Sequence, residues 1–499
     1  MRPTVLLTGV TGYIGRRLEK ALRGRKDITL RLLVRDARKL ADDTRQGAEI
    51  CQGDAMHLPV LQQALAGVET AIYLVRARGT GQDSRRLDQT MATNFLQACL
   101  DQGVGNIICI GALDQPDDDA RCAAVASSTP CRILSGRPDR IRTLWLRAGT
   151  IIGSGSCGFE ILRNLVRNAP LVPVPRWGLL PTHPVGIDDV MAYLVAALTH
   201  DHPGSTQVDI DTPPLTFMDM LRQTVAIMGR SNVPIPIPFS IPRLSSLGLA
   251  AVTPVSRPAT EAFIAELQAA IQGQQARAST FFPEISPAPF SHILRQALDE
   301  TENDLVPSRW CDASDRVLAD VGGQIGTAIW RDRRIHALAG ARPRQVFASL
   351  LVLGGTRGWL TCNLLWQVRG LIDKAIGGPG LNRGRRQASR LRIGDALDFW
   401  RVADLVSDRR LLLQAEMKLP GKAWLEFEVR RETLIQTAFF IPHGQLGRLY
   451  WYAMLPWHSL IFPRLCRRIV ERARVVAPPG QMPGSLPGSS IPGTDDRPA

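Results

Sequence analysis

The sequence predicts an α/β fold class, in which a doubly wound parallel sheet is followed by a smaller α+β domain. Three observations lead to this prediction. Short apolar, β-branched segments alternate with helical patterns over residues 1–110, a glycine-rich loop follows the first of them, and residues 411–441 alternate between apolar and polar side chains. Repeated β-α-β units require a parallel sheet with helices on both faces, whereas alternation is typical of antiparallel hairpins.

The first part of the chain contains the predicted β-α-β series. Its strands are predicted at Val5–Leu7, Thr29–Val34, Thr70–Val75, Asn106–Ile110 and Thr143–Arg147. Its helices are predicted at Ile14–Leu22, Leu87–Leu100 and Ile187–Leu198. The last helix begins beside two aspartates, whose negative charge suits the positive end of a helix dipole.

Changes in composition indicate where the domains end. Prolines alternate with apolar residues at 234–242, which predicts an extended segment. A short polar stretch at 308–320 places a boundary near it, and the last residues of the chain are dominated by proline and glycine. The predicted organisation is one domain at 1–305, a second at 325–476 and a disordered tail at 477–499.

The second domain has the pattern of antiparallel hairpins. Strands are predicted within Leu411–Met417, Trp424–Arg430 and Thr433–Ile441, with Gly421 in the turn between the first two, before a long helix at about Leu446–Val475. Seven of the ten tryptophans lie in this domain. Such a composition is typical of a sheet curled around a helix with an apolar cavity. Alternatively, the tryptophans form a packed core around no ligand.

A glycine loop stands between the first predicted strand and the first predicted helix. Gly9, Gly12 and Gly15 have the spacing G-x-x-G-x-x-G. The first glycine permits a tight turn, the second lets backbone approach a pyrophosphate, and the third lets helix pack on strand. The phosphates would lie at the helix N-terminus, where N–H groups and the dipole favour anions, so the loop predicts dinucleotide binding. The other loop residues assigned to this site are Thr11, Tyr13 and Ile14.

The end of the second predicted strand bears on the type of dinucleotide. An acidic residue at this place binds the ribose 2′-hydroxyl of NAD, whereas a basic residue accommodates the 2′-phosphate of NADP. Arg35 is the first residue after the strand, and Arg16, just beyond the glycine loop, could assist it. NADP is therefore the predicted cofactor. The alternative is NAD, with Asp36 as the ribose acceptor and Arg35 in solvent.

Residues 1–300 resemble the atypical short-chain dehydrogenase/reductases, within the NmrA-like and complex-I-accessory-subunit-like branch. The resemblance rests on TGVTGYIG at the start, LLVRD after strand two, LRAGTIIGSGS at 146–156, HPVGIDDV at 183–190, and Asn94 in its helix. It implies a Rossmann domain that binds NAD(P).

The same resemblance implies further cofactor contacts. Asp54 would hydrogen-bond the adenine and Ala55 would line its pocket. Val75, in the strand end Leu74-Val75-Arg76, would flank the ribose and phosphates. Gly111, with Ala112, would pass near the nicotinamide.

The catalytic pair usual in this superfamily is absent. Its tyrosine exchanges a proton with substrate because a lysine four residues later lowers the phenol pKa. None of the five tyrosines here has such a lysine, and no lysine lies between Lys39 and Lys374. The catalytic residues are therefore unknown. Three explanations stay open. Hydride transfer to a flavin or quinone does not require the tyrosine, or another acid such as His183 replaces it, or the cofactor is bound only for structure or sensing.

The C-terminal domain resembles a domain often fused behind such reductase-like domains in bacteria, itself similar to helix-grip, START-like binders of lipids and polyketides. The resemblance runs from GDALDFWRV at 394–402 to LYWYAMLPWH at 449–458 and implies a hydrophobic ligand. One basic cluster is interpreted as a solvated face, with contact to anionic lipid as the alternative. Its members are Arg383, Arg385, Arg386, Arg390 and Arg392.

Composition indicates which classes of partner and which cellular compartment to expect. The net charge is +14, and arginine accounts for most of the basic residues. The sequence has no recognisable nucleic-acid-binding motif, so no nucleic-acid partner is predicted. Nine scattered cysteines without a C-x-x-C pair predict no metal site and a reducing compartment. The absence of a signal-peptide pattern and of an 18-residue apolar run favours the cytoplasm, with peripheral contact of Leu449–Leu465 at the inner membrane left open.

Taken together, these features predict an NAD(P)H-binding, oxidoreductase-like protein that acts on or carries a small hydrophobic acceptor such as a quinone or polycyclic compound. Two alternatives remain. One is a non-catalytic, NADP-binding redox sensor or assembly factor with a protein partner. The other is a lipid- or hydrophobic-ligand-binding protein at a membrane surface.

Overall fold

The computed structural model describes most of the chain. The described residues are 2–77, 82–113, 123–238, 241–269, 276–312, 328, 330–355, 358–376, 378–380, 385–388 and 390–475. Residues 2–312 are called the N-terminal region below, and residues 328–475 the C-terminal region. The predicted tail at 477–499, most of the predicted boundary at 305–325, and Arg383 lie outside the described residues.

The N-terminal region is built on a parallel sheet. Its strands are β1 Thr4–Leu7, β2 Thr29–Val34, β3 Glu49–Gln52, β4 Thr70–Tyr73, β5 Asn106–Ala112, β6 Arg142–Ala148, β7 Ile151–Ile152, β8 Leu171–Val174, β9 Pro181–Thr182, β10 Val185–Gly186, β11 Ser205–Asp209, β12 Leu215–Thr216, β13 Val233–Pro236 and β14 Ala276–Arg277. Eight of them form one sheet in the order β14-β11-β6-β5-β4-β1-β2-β3, and every pairing in it is parallel. The strand order reverses between β1 and β4, which opens a crevice at their carboxyl ends.

Helices cover both faces of this sheet. They are α1 Tyr13–Leu22, α2 Asp42–Gly47, α3 Leu58–Leu65, α4 Gln82–Asp101, α5 Ala123–Leu134, α6 Cys157–Asn168, α7 Ile187–Ala196, α8 Phe217–Ile227, α9 Pro242–Val252, α10 Arg257–Ala269, α11 Ala278–Phe281 and α12 Phe290–Glu302. Separate apolar cores lie on the two faces, one around Leu18 and Tyr193 and the other around Phe95 and Trp145. This confirms the predicted doubly wound, parallel-sheet fold.

One local prediction in the N-terminal region is partly wrong, and one strand was not predicted. The segment 234–242 is extended only in its first part, where β13 pairs with β8, because Pro242 already begins α9. Proline is well tolerated at the first position of a helix, where its missing N–H is not needed. The edge strand β3 was not predicted, because it is short and exposes its charged and polar ends.

The C-terminal region is an antiparallel sheet with helices. Its strands are β15 Trp330–Ala337, β16 Ala396–Leu397, β17 Trp400–Val406, β18 Arg410–Ala415, β19 Gly421–Val429 and β20 Thr433–Pro442, and its helices are α13 Pro343–Leu350, α14 Asn363–Ala375 and α15 Gly444–Val475. The order is β15-β20-β19-β18-β17-β16, so the first strand pairs with the last. Gly421 begins β19 and is not in the turn where the sequence placed it.

The long helix α15 packs against the sheet and α13. Trp359, Trp366 and Trp400 belong to the core between them, together with Leu465 and other buried apolar side chains. These tryptophans thus take part in a packed core. A hydrophobic ligand of this domain stays a prediction.

A buried arginine joins the two regions. Arg401, on β17, has a side chain only 1% exposed. Its guanidinium donates to the carbonyl oxygens of Cys311 and Asp312, at 3.0 and 3.2 Å, and to that of Gly394, at 2.6 Å. It also pairs with Glu416 at 2.7 Å. The end of the N-terminal region is therefore bonded directly to the second sheet.

The predicted basic cluster is not a uniform solvated face. Arg386 is buried and pairs with Asp395, and Arg385 donates to the backbone carbonyls of Leu351 and Leu353. These two guanidinium groups stabilise the interior of the C-terminal region. In the part of the chain that the structure describes, no helix is both long and apolar enough to cross a membrane.

Candidate cofactor cleft

Thr8 and Gly9 make the turn that leaves β1. The Thr8 hydroxyl donates to the Ile72 carbonyl at 3.0 Å and accepts the Leu74 N–H at 3.2 Å, which ties the turn to β4. Gly9 has a φ of +69°, and a Cβ there would lie 2.5 Å from the Leu74 carbonyl oxygen. Both the left-handed backbone and the close approach require glycine at this position.

The other two glycines set the start of α1. The Gly12 N–H donates to the Gly9 carbonyl at 2.9 Å, and a Cβ on Gly15 would lie 2.2 Å from the same oxygen. Helix α1 therefore begins directly against the turn. Its N-cap is Gly12, which has no capping side chain, and its first turn contains no acidic residue. The first N–H groups of the helix consequently face the crevice as hydrogen-bond donors to an anion.

A cleft of about 780 Å³ lies at the carboxyl ends of β1, β2, β4, β5 and β6. The structure brings every residue predicted to bind the cofactor to its wall. These residues are Gly9, Thr11, Gly12, Tyr13, Ile14, Gly15, Arg35, Asp54, Ala55, Val75 and Gly111. Their convergence is a structural fact, while their contact with a nucleotide stays a prediction.

One end of the cleft is cationic. Arg35 and Lys39 line it beside Asp36, whose carboxylate accepts from Arg38 Nε at 3.0 Å and Nη2 at 2.9 Å. Burial alone would raise the pKa of Asp36, but the hydrogen bonds from Arg38 lower it below its ordinary value. Burial, and then the guanidinium groups of Arg35 and Arg401, lower the pKa of Lys39 to about 8.

Asp54 shapes a turn at the same end. Its Oδ1 accepts the Met56 N–H at 3.0 Å. Asn94, on α4, donates from Nδ2 to the Met56 carbonyl at 2.8 Å and so fixes the turn from behind. Arg16 does not line the cleft, and its Nε donates to the Thr11 carbonyl at 3.3 Å.

The opposite end lies over β5 and β6 beneath α10. Gly111 is required there, since a Cβ would lie 2.6 Å from Nε1 of Trp145. Thr150, after β6, forms part of the wall, and α10 contributes Phe263 and Glu266. Because the adenosine half of a dinucleotide lies on the β2 side of such a sheet, this end corresponds to the nicotinamide half.

Neither the tyrosines of the cleft nor His183, the one alternative acid that the sequence suggested, provides a suitable proton donor at this end. Tyr13 and Tyr73 line the cleft, but burial raises the pKa of both phenols well above the ordinary value. His183 is not part of the cleft wall, and its Nδ1 lies 2.6 Å from the Thr212 carbonyl oxygen. We therefore assign His183 a structural contact and no role in the cleft.

Glu266 is a candidate functional residue that sequence reasoning missed. Its burial raises the pKa of the carboxyl to about 7, and the nearby Thr150 hydroxyl opposes this shift only in part. In the sequence it is one glutamate within an ordinary helical pattern. Only the packing of α10 over the cleft distinguishes it from the other acidic residues.

Two family models match this chain, one in each region. Residues 9–128 match a family model described as NAD(P)H-binding, and residues 324–465 match a model for a protein family of unknown function, DUF2867. A chloroplastic divinyl chlorophyllide a 8-vinyl-reductase from Cucumis sativus is 31% identical over 121 residues. That match covers 22% of this chain and 29% of the relative, so less than a third of the relative's length is matched.

Solved structures align with the N-terminal part at low identity. MoeE5, in complex with UDP-glucuronic acid and NAD, is 17% identical with a TM-score of 0.45, over 60% of this chain and 100% of MoeE5. A nucleoside-diphosphate-sugar epimerase from Staphylococcus aureus is 16% identical with a TM-score of 0.48, over 59% and 100%. The family models and the sheet topology together support an NAD(P)H-binding, Rossmann-type fold in the N-terminal region, followed by a region that is similar to the DUF2867 family.

Proposed function

We propose that this protein is an NADPH-dependent reductase that transfers hydride to a hydrophobic acceptor at the nicotinamide end of the cleft. The observation that carries the proposal is the arrangement of one cleft. A glycine loop lies at its centre, Arg35 and Lys39 at one end, and apolar residues with one carboxylic acid at the other.

The cationic end supports a preference for NADP over NAD. A 2′-phosphate is a dianion near neutral pH, and Arg35 and Lys39 would neutralise it there. Asp36, the alternative acceptor for the ribose of NAD, already accepts two hydrogen bonds from the Arg38 guanidinium. Its carboxylate is therefore less available to a ribose hydroxyl.

The test is calorimetric titration of the full chain with NADPH and with NADH. We expect tighter binding of NADPH, and Arg35→Asp should weaken NADPH binding by roughly 10-fold or more while leaving NADH binding nearly unchanged. The matched control is Arg25→Asp, which reverses a charge at a residue that pairs with Asp27 and does not line the cleft. Binding of neither nucleotide would refute the proposal.

The nicotinamide end supports a hydrophobic acceptor. Leu87, Met91, Pro130, Phe263 and Trp310 contribute to the wall of the cleft. An apolar wall favours an apolar acceptor such as a quinone, because the transfer of its surface out of water is favourable. Consumption of NADPH should therefore depend on added quinone. Tight NADPH binding with no consumption across a series of quinones would instead favour the sensor alternative.

A second candidate function, docking on an anionic membrane surface, is favoured by two apolar stripes in the C-terminal region. Helices α14 and α15 bury one face and also expose apolar side chains on another. The exposed side chains are Leu364, Val368, Leu371 and Ile372 on α14 and Leu446, Leu449, Trp457 and Leu460 on α15. The two helices meet where Arg369 donates to the Tyr450 hydroxyl at 3.3 Å.

The charges on these helices favour a membrane over a second copy of the chain. The one acidic residue of α14, Asp373, is fully buried, and α15 has no acidic residue before Glu471. Arg448 and Arg464 are exposed on α15. Two such cationic surfaces would repel each other, whereas anionic lipid would attract both the apolar and the basic side chains.

Sedimentation with vesicles tests this second candidate. We expect the protein to bind vesicles containing phosphatidylglycerol more strongly than vesicles of phosphatidylcholine alone. The double variant Leu364→Asp with Leu371→Asp should lose binding, while Leu305→Asp, at an exposed leucine outside both stripes, should retain it. A dimer in solution that the double variant dissociates, without vesicle binding, would refute membrane docking.

A further inference from the structure

Reduction of a carbon or oxygen acceptor requires a proton as well as a hydride. The described wall of the cleft contains three carboxylic acids, Asp36, Asp54 and Glu266. Asp36 and Asp54 lie at the cationic, adenosine end. Glu266 is the one carboxylic acid of the described wall that lies at the nicotinamide end.

We propose that Glu266 is the proton donor of the reduction, in place of the missing tyrosine and lysine pair. This inference rests on the proposed reductase function, because it assigns a role in that reaction. Glu266 would act as a general acid toward an acceptor held between the nicotinamide and α10.

The register of α10 directs Glu266 into the cleft. Ala259, Ala262, Phe263 and Glu266 all line the wall. Their spacing of i, i+3, i+4 and i+7 places them on one face of the helix. Since α10 packs against α5 and α6, this face roofs the cleft beside Thr150 at the end of β6.

The surroundings of Glu266 keep its carboxyl available in the acid form. In the described residues it has no salt-bridge partner, and its polar neighbour is the Thr150 hydroxyl. The Cys157 thiol also lies near it, and burial raises the pKa of that thiol too. On the neighbouring helix α6, Glu160 and Arg163 pair with each other at 3.4 Å.

Arg309 also lies near Glu160, at 3.7 Å, so both arginines of this cluster are held by the Glu160 carboxylate. The pKa of Glu266 is shifted by burial and by the Thr150 hydroxyl, and not by these charges. Glu266 is half-buried, and a carboxyl partly removed from water without a cationic partner favours its neutral form, as the raised pKa of about 7 indicates. A general acid is most effective when its pKa lies near the working pH.

The proposed step balances in atoms and electrons. NADPH, once bound, would supply a hydride and so two electrons to the acceptor, and would become NADP⁺. The Glu266 carboxyl would supply a proton to the electron pair displaced within the acceptor, so that the second bond to hydrogen forms as the carboxyl O–H bond breaks. A proton from solvent would then restore the acid form of Glu266.

The experiment measures NADPH oxidation by the full chain with 1,4-naphthoquinone and with 2-cyclohexenone as probes. Glu266→Gln keeps the shape of the side chain but cannot donate the proton. We expect kcat to fall by roughly 100-fold or more, with the NADPH dissociation constant unchanged. Glu266→Asp should retain an intermediate rate. Glu261→Gln is the matched control, because Glu261 is on the same helix, pairs with Arg257 and does not line the cleft.

The pH profile separates a proton donor from a residue that only supports the fold. The acid form of Glu266 predominates below its pKa, so the wild-type kcat should fall as pH rises above about 7. Glu266→Gln should lose this limb. A variant rate equal to wild type, or a variant with the same alkaline limb, would overturn the proposal. Wild-type protein that binds NADPH but oxidises it with neither probe would overturn the reductase function, and the inference with it.

Discussion

The N-terminal and C-terminal regions cover a sheet in different ways. In the N-terminal region, helices bury both faces of the parallel sheet, and the carboxyl ends of its strands remain open as a cleft of about 780 Å³. In the C-terminal region, α15 and α13 cover the antiparallel sheet, and Trp359, Trp366 and Trp400 belong to the core between them. Outside this core, α14 exposes apolar side chains.

This difference shows where each region can bind a ligand. Parallel strands all place their carboxyl ends at one edge, so a reversal of strand order leaves backbone N–H groups around a shared crevice. An antiparallel meander alternates its strand ends and has no such crevice. Chemistry is therefore expected in the N-terminal cleft, and recognition on the outer helices of the C-terminal region.

The largest expected effect is at the residue that joins the regions. Arg401→Met would leave the Glu416 carboxylate and the carbonyls of Cys311, Asp312 and Gly394 without their donor. Breaking a buried pair in this way costs about 3–5 kcal/mol. We expect a loss of this size in the free energy of unfolding, measured by guanidinium denaturation.

The control for this variant lies on the neighbouring strand. Arg410 pairs with Asp404 and Glu426, but a third of its side chain is exposed. Arg410→Met should cost about 1 kcal/mol or less, because solvent already screens these pairs. Equal losses for the two variants would show that the joint between the regions is no stronger than a surface ion pair.

The next largest expected effect is on stability, and it distinguishes a filled core from a ligand cavity in the C-terminal region. Val402 is fully buried on β17, within the core between sheet and helices. Val402→Phe should destabilise the protein by about 1–3 kcal/mol, since a packed core must shift to admit the larger side chain. Val406→Phe, at an exposed position of the same strand, should change stability by less than about 0.5 kcal/mol. A neutral Val402→Phe, by thermal or guanidinium denaturation, would indicate unfilled space.

Periodicity was sufficient to predict the parallel sheet, and the glycine spacing was sufficient to predict the loop that lines the cleft. Thr29–Val34 is observed as predicted, and Gly9, Gly12 and Gly15 act through backbone geometry that local sequence determines. Glu266 could not be found in this way. Its environment depends on the packing of α10 against helices distant in sequence, and no local pattern encodes burial of a single carboxyl.

The pKa of Lys39 likewise could not be predicted from sequence. It leads to the smallest of the predicted effects, a change in cofactor affinity with pH. The sequence places Lys39 near the end of strand two, but its pKa of about 8 arises from burial, from Arg35 and from Arg401 in the other region. The amine is charged below this pKa and neutral above it. The affinity for NADP⁺ should therefore fall as pH rises from 7 to 9, by roughly up to tenfold, whereas the affinity for NAD⁺, without a 2′-phosphate, should change little. In calorimetric titrations Lys39→Met should remove this pH dependence, and a wild-type affinity independent of pH would exclude Lys39 from the 2′-phosphate site.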